Sequence, residues 1–167
     1  RDQHVPAHDD QFTVGVLHRV TVRELDRAVI RGLDEALLRD LRRAAAIELV
    51  VGGRSADQAQ ALAASLGHGA QGLAVDHSAP GFAQWLRDHG IGLVIHTAGP
   101  FQQQAYAVAQ AAAAAQAHYI DLADGRRFVC DFPAALHATF TAAGRTAISG
   151  ASTVPALSSA VVEHLCA

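Results

Sequence analysis

The segment Gly90-Ile-Gly-Leu-Val-Ile-His-Thr-Ala-Gly-Pro-Phe101 restricts the folds open to this chain more than any other. Leu93 to His96 is a short apolar run with β-branched residues, set off by Gly90 and Gly92, and reads as a strand buried on both faces. Thr97, Ala98, Gly99 and Pro100 then stop the strand, and Gln102 to Ala117 continues as an alanine-rich helix. Strand, tight turn and helix form the unit from which parallel sheets are built. In such sheets ligands lie beyond the carboxyl ends of the strands. Ala98 and Gly99 carry almost no side chain, so a flat group can approach this backbone closely. An ordinary connecting turn has the same composition.

The same alternation runs through the chain. Strands are expected at Phe12–Leu17, Ile47–Val51, Gly72–Asp76, Leu93–His96, His118–Leu122 and Thr146–Ser149. Thr21-x-x-Glu24 has the form of a capping box, followed by Leu25, Val29, Leu33, Leu37 and Leu41 at four-residue spacing, which predicts a long amphipathic helix to about Arg43. Ser55-x-x-Gln58 is a second capping box, opening a helix to about Leu66. Further helices are expected over Pro80–His89, with Trp85 packed inward, over Asp131–Ala143, and from Pro155 to the end. The pattern predicts an α/β fold, a Rossmann-like doubly wound parallel sheet in three αβα layers with strand order 3-2-1-4-5-6. Arg1 to Gln11, polar and interrupted by Pro6, is expected as a flexible arm, leaving residues 12–167 as the domain.

Composition removes several chemistries. All 13 basic residues are arginine, so there is no P-loop lysine, no Schiff-base lysine and no Tyr-x-x-x-Lys pair. Cys130 and Cys166 have no C-x-x-C partner, which argues against a zinc site or a disulfide framework and for a reducing, cytoplasmic location. His4, His8, Asp9 and Asp10 read as a solvated tail, so no metal is expected. A net charge of −3 gives no electrostatic case for nucleic acid or membrane. Arg23, Arg27 and Arg31 are offset along their own helix by Glu24, Asp26, Asp34 and Glu35.

A dinucleotide site declares itself at two places. The first is a glycine-rich turn after strand one, which lets a pyrophosphate reach a helix N-terminus. Here that turn is expected at His18-Arg19-Val20, which has no glycine, and this counts against a competent site. The second is the end of strand two, where NAD sites carry an acid. This chain has Gly52-Gly53-Arg54-Ser55, and an arginine fork beside a hydroxyl suits a 2′-phosphate, hence NADP over NAD. The plainer alternative is a solvated Arg54 and a Ser55 that only caps its helix. Asp76 suits an adenine edge or a turn cap. Asp121 and Asp124, near Arg126 and Arg127, suit substrate orientation or proton relay, or else loop capping and surface ion pairs. His96 is either a satisfied core histidine or an acid–base group.

From Ile47 onward the chain resembles the NADP-binding domain of the saccharopine dehydrogenase-like (saccharopine reductase) oxidoreductases. The likeness rests on Glu48-Leu-Val-Val-Gly-Gly-Arg-Ser55, His96-Thr-Ala-Gly-Pro-Phe101, His118-Tyr-Ile-Asp-Leu-Ala-Asp-Gly125 and Ser149-Gly-Ala-Ser-Thr-Val-Pro-Ala-Leu-Ser-Ser159. It implies a dinucleotide partner, with Gly53, Arg54 and Ser55 meeting the 2′-phosphate side and Thr97, Ala98, Gly99 and Pro100 lining the nicotinamide side. It also implies that residues 149–159 lead into a second, substrate-binding and dimer-forming domain, hence a homodimer. Residues 1–46 do not match the family's opening Gly-Gly-x-Gly-x-x-Gly-like turn, and Ala167 falls about where the second domain should begin. The expectation is therefore the cofactor domain of an NADP-dependent oxidoreductase, transferring hydride at a C–N or C–C centre but inactive as this chain alone. The alternative is a non-catalytic Rossmann remnant or interaction domain that binds no dinucleotide.

Overall fold

The computed structural model describes residues 14–20, 47–67, 69–152 and 158–166. The expected arm at 1–11, the helix at 21–43 with its capping box, and Pro155 lie outside the described residues. In chain order the elements are β1 (Val14–Val20), β2 (Ile47–Gly53), α1 (Ala56–Leu66), β3 (Gln71–Ala74), α2 (Phe82–Asp88) and β4 (Leu93–His96). They continue with α3 (Ala107–Ala114), β5 (His118–Asp121), α4 (Arg126–Ala143), β6 (Ala147–Ile148) and α5 (Ser158–Cys166).

The strands form one sheet in the order β3-β2-β1-β4-β5-β6, the order expected of a Rossmann-like domain. β2 runs parallel to β3, and β4, β5 and β6 run parallel to one another, with His96 opposite Asp121. β1 is different: it is antiparallel to both neighbours, with Val14 opposite Gly53 and Val20 opposite Ile47. His18-Arg19-Val20 is not a turn but the end of the strand, paired with Leu49, Glu48 and Ile47. Without glycine, and with β-branched Val20, these residues continue the ladder instead of breaking it. The carboxyl end of β1 therefore lies at the edge of the sheet opposite to the carboxyl ends of the other five strands.

Leu49, Val50 and Val51 are consecutive and all buried, so both faces of the sheet are covered. α1 packs on β2 and β3. Its backbone comes so close to Gly72 that a Cβ there would collide with Ala59 and Gln60 main-chain atoms. α2, α3 and α4 pack side by side. α4 buries one four-residue row, Phe128, Phe132, Leu136 and Phe140, and the Tyr119 ring stacks on Phe132 at 5.8 Å. The helix begins at Arg126, five residues before the expected Asp131, and Pro133 sits inside it; it closes on Gly144, whose φ of 62° is the left-handed conformation glycine adopts without penalty. α3 is shorter than the expected Gln102–Ala117: it starts at Ala107, after Gln104 has turned back to the loop that follows β4, and ends at Ala114.

Candidate functional site

At the carboxyl ends of β2, β3 and β4 three loops meet around a cavity of about 380 Å3, lined by Arg54, Asp76, His77, Ser78, Ala98, Gly99, Gln104 and part of α3. Arg54 leaves β2 at the point where the strand must become α1, and its side chain is exposed. Ser55 caps α1, accepting from the Gln58 N–H at 3.3 Å, so the expected capping function is present. Asp76 folds the loop after β3 by accepting from the N–H and hydroxyl of Ser78 at 2.9 and 2.6 Å. Those two hydrogen bonds, then His77 and Arg54, hold its carboxyl below the ordinary range. The turn-cap reading of Asp76 is thus met, and the residue also borders the cavity.

The loop after β4 is held by one side chain. Gln104 Nε2 donates to the carbonyls of Ala98 (2.5 Å) and Pro100 (2.9 Å), on either side of Gly99. The Gly99–Pro100 peptide is cis. Gln104 Oε1 lies 3.1 Å from His96 Nε2. Two carbonyls can only accept, so the atom facing them is the amide nitrogen, and His96 must donate from Nε2. His96 is buried and its ring meets those of Phe101 at 5.1 Å and His77 at 5.6 Å, edge to face. A hydrogen-bonded core histidine is what this geometry describes. Thr97 Oγ1 is buried with no hydrogen-bond partner among the described residues.

At the end of β5, Asp121 has no exposed surface. Its Oδ1 accepts from Ala123 N (3.0 Å), Gly150 N (2.8 Å) and Ser149 Oγ (2.9 Å), while Oδ2 has no partner among the described residues. Burial pushes the carboxyl pKa up, and the three hydrogen bonds and the Tyr119 hydroxyl oppose that. The same burial, then the nearby carboxylate, push the Tyr119 phenol well above its usual value. Asp121 therefore ties the loop after β6 to the end of β5, which Ala151 N reinforces by donating to the Asp121 carbonyl at 2.9 Å. Asp124 is exposed, 3.3 Å from Gln102 Nε2. Arg127 pairs with Asp131 at 3.5 Å on the surface, and such exposed pairs contribute little.

Of the residues singled out in the sequence, Arg54, Asp76, Ala98 and Gly99 line one cavity. Gly53, Ser55, Thr97 and Pro100 are their chain neighbours, while Asp121 and Asp124 belong to β5 and the loop after it, the next strand beyond β4. Gln104, His77 and Ser78 carry no such signal in the sequence pattern. Gln104 falls in what reads as an alanine-rich helix, and its polarity three residues after an apolar Phe101 is the one hint of another role. Residues 18–20, expected as a glycine-free turn beside the cofactor site, are instead the end of β1, on the side of the sheet away from the cavity. Among the described residues no group of three metal-ligating side chains occurs, and no helix is long and apolar enough to cross a membrane.

No curated protein matches the chain. The family described as saccharopine dehydrogenase NADP binding domain matches residues 35–148. That interval is about two thirds of the 167 residues and contains the loops after β2, β3, β4 and β5. It begins 12 residues before Ile47 and stops short of the Ser149–Ser159 segment. The chain accordingly belongs to the saccharopine dehydrogenase NADP-binding domain family, a dinucleotide-binding oxidoreductase domain whose cofactor is NADP.

Proposed function

We propose that this domain binds NADP(H) in the crevice at the carboxyl ends of β2, β3 and β4, as the cofactor-holding part of a hydride-transferring oxidoreductase. The observation that carries the reading is that Arg54 shares one cavity with Asp76, Ser78, Ala98 and Gly99. The residues fit the cofactor's 2′-phosphoadenosine half. Arg54 offers a planar fork to the phosphate, and Ser55, whose Oγ accepts from α1, still has its own hydrogen to donate. Asp76 Oδ1 is committed to Ser78, which leaves Oδ2 for the adenine amino group. Gly99 keeps the wall low, since a Cβ there would meet nothing nearer than Phe101 at 3.9 Å.

When bound, the cofactor supplies the hydride chemistry, and the protein's part is placement. Asp124, exposed beyond β5, is the candidate to orient substrate or move a proton; Asp121 holds the neighbouring loop. The test is Arg54→Ala. A charge-assisted phosphate contact contributes about 1.5–3 kcal/mol, so NADPH affinity should fall roughly ten- to a hundredfold while NADH affinity stays put. An equal loss for both would refute the assignment.

One observation favours a second reading, a Rossmann-like domain that binds no dinucleotide. β1 runs antiparallel, so no turn from its carboxyl end meets the crevice. Absence of binding by both NADPH and NADH is the result that selects it.

A further inference from the structure

We propose that Gln104 is a positioning residue that presets the Ala98–Pro100 turn for the cofactor and fixes His96 as its Nε2-protonated tautomer. This rests on the NADP reading of the cavity. Both hydrogens of the Gln104 amide are spent on the Ala98 and Pro100 carbonyls, and its oxygen on His96. The consequence is geometric. The carbonyls on either side of Gly99 each accept one hydrogen bond from Gln104, which holds the turn on both sides of Gly99, while Gly99 itself stays exposed at the cavity wall. The anchor beneath the clamp is rigid: His96 belongs to β4 and packs edge to face on Phe101, the last residue of the turn. Binding then spends none of its free energy on ordering the turn. Glutamine suits the task because one planar amide carries two donors and an acceptor; glutamate, of the same size, has no donor for either carbonyl.

Two variants separate the clamp from the tautomer. Gln104→Glu keeps an acceptor for His96 but loses both donors, and Gln104→Leu loses all three contacts. Each should weaken NADPH and NADH alike, by about tenfold or more, measured on folded protein well below its melting temperature. The preference for NADPH should stay, since Arg54 is untouched. Nitrogen-15 NMR of His96 should report a proton on Nε2 in the wild type and in Gln104→Glu, and a smaller Nε2-protonated fraction in Gln104→Leu. Unchanged affinity in both variants, or an Nδ1-protonated His96 in the wild type, would overturn the proposal. A wild type that binds neither dinucleotide would refute the cofactor reading and the turn's presetting with it; the His96 spectrum then decides the tautomer alone. If either variant fails to fold, the wild-type spectrum decides the tautomer and the remaining variant decides the clamp.

Discussion

Removing the Asp121 carboxyl should loosen the carboxyl edge of the sheet by an amount that can be worked from its partners. Oδ1 accepts three hydrogen bonds, two of them from the N–H groups of buried residues, Ala123 and Gly150. The third comes from Ser149, which is only half buried and can turn its hydroxyl to water. A buried donor left without a partner costs about 1–3 kcal/mol, so Asp121→Ala should lose roughly 2–6 kcal/mol. Asp121→Asn keeps the Oδ1 acceptor and removes the desolvated charge, at the cost of a buried amide nitrogen in the place of Oδ2, so it should lose less than Asp121→Ala near neutral pH. The pH dependence has a definite sign. Burial raises the native pKa above the unfolded value, so the native state binds more protons between the two values. Asp121 is thus least costly below its unfolded pKa, and stability falls as pH rises through the native one. Urea unfolding of the three proteins between pH 4 and pH 8 reads both effects. Equal losses in the Ala and Asn variants, or a wild-type slope that Asp121→Asn leaves intact, would refute this role for the carboxyl.

Gly72→Ala should be among the most destabilising substitutions of a single methyl group. Its Cβ would collide with the main chain of Ala59 and Gln60, which cannot rotate away, and overpacking of this kind costs about 1–3 kcal/mol or more by thermal or urea unfolding. Gly99→Ala meets no such obstacle, so it should melt near the wild-type temperature yet bind NADPH more weakly; unchanged affinity would take the turn out of the cofactor site. His118 acts in the opposite pH direction to Asp121. Its Nδ1 accepts from Thr146 N at 3.1 Å, and burial, then Arg145, lower its pKa. Its contribution is present above the unfolded value and is lost as pH falls through the native one, a slope that His118→Gln should abolish in the same unfolding series.

Much of this architecture was legible in the residues because local and global signals agree. Leu93 to His96 is the expected strand to the residue, and Ser55 caps α1 as its spacing implied. Arg54, Asp76, Ala98 and Gly99 fall together because chain order fixes which loops share the carboxyl edge. What escaped was set by contacts between distant residues. The direction of β1 depends on pairing with β2 and β4, and a run such as His18-Arg19-Val20 extends a strand equally well in either direction. The role of Gln104 depends on reaching back across the turn, which no helical periodicity encodes. Asp121 read in sequence equally as a reactive carboxylate or a loop cap; besides Ala123, the donors that tie it down come from residues 149 and 150, on the far side of α4.

The most direct measurement is an equilibrium titration of the chain with NADPH and NADH, followed by nicotinamide fluorescence and by the shift in melting temperature. Saturable binding is expected, with NADPH preferred by about tenfold or more, the factor that follows from one charge-assisted contact to the 2′-phosphate. Equal affinity for the two would contradict the role of Arg54, and absence of binding by either would contradict the cofactor site itself.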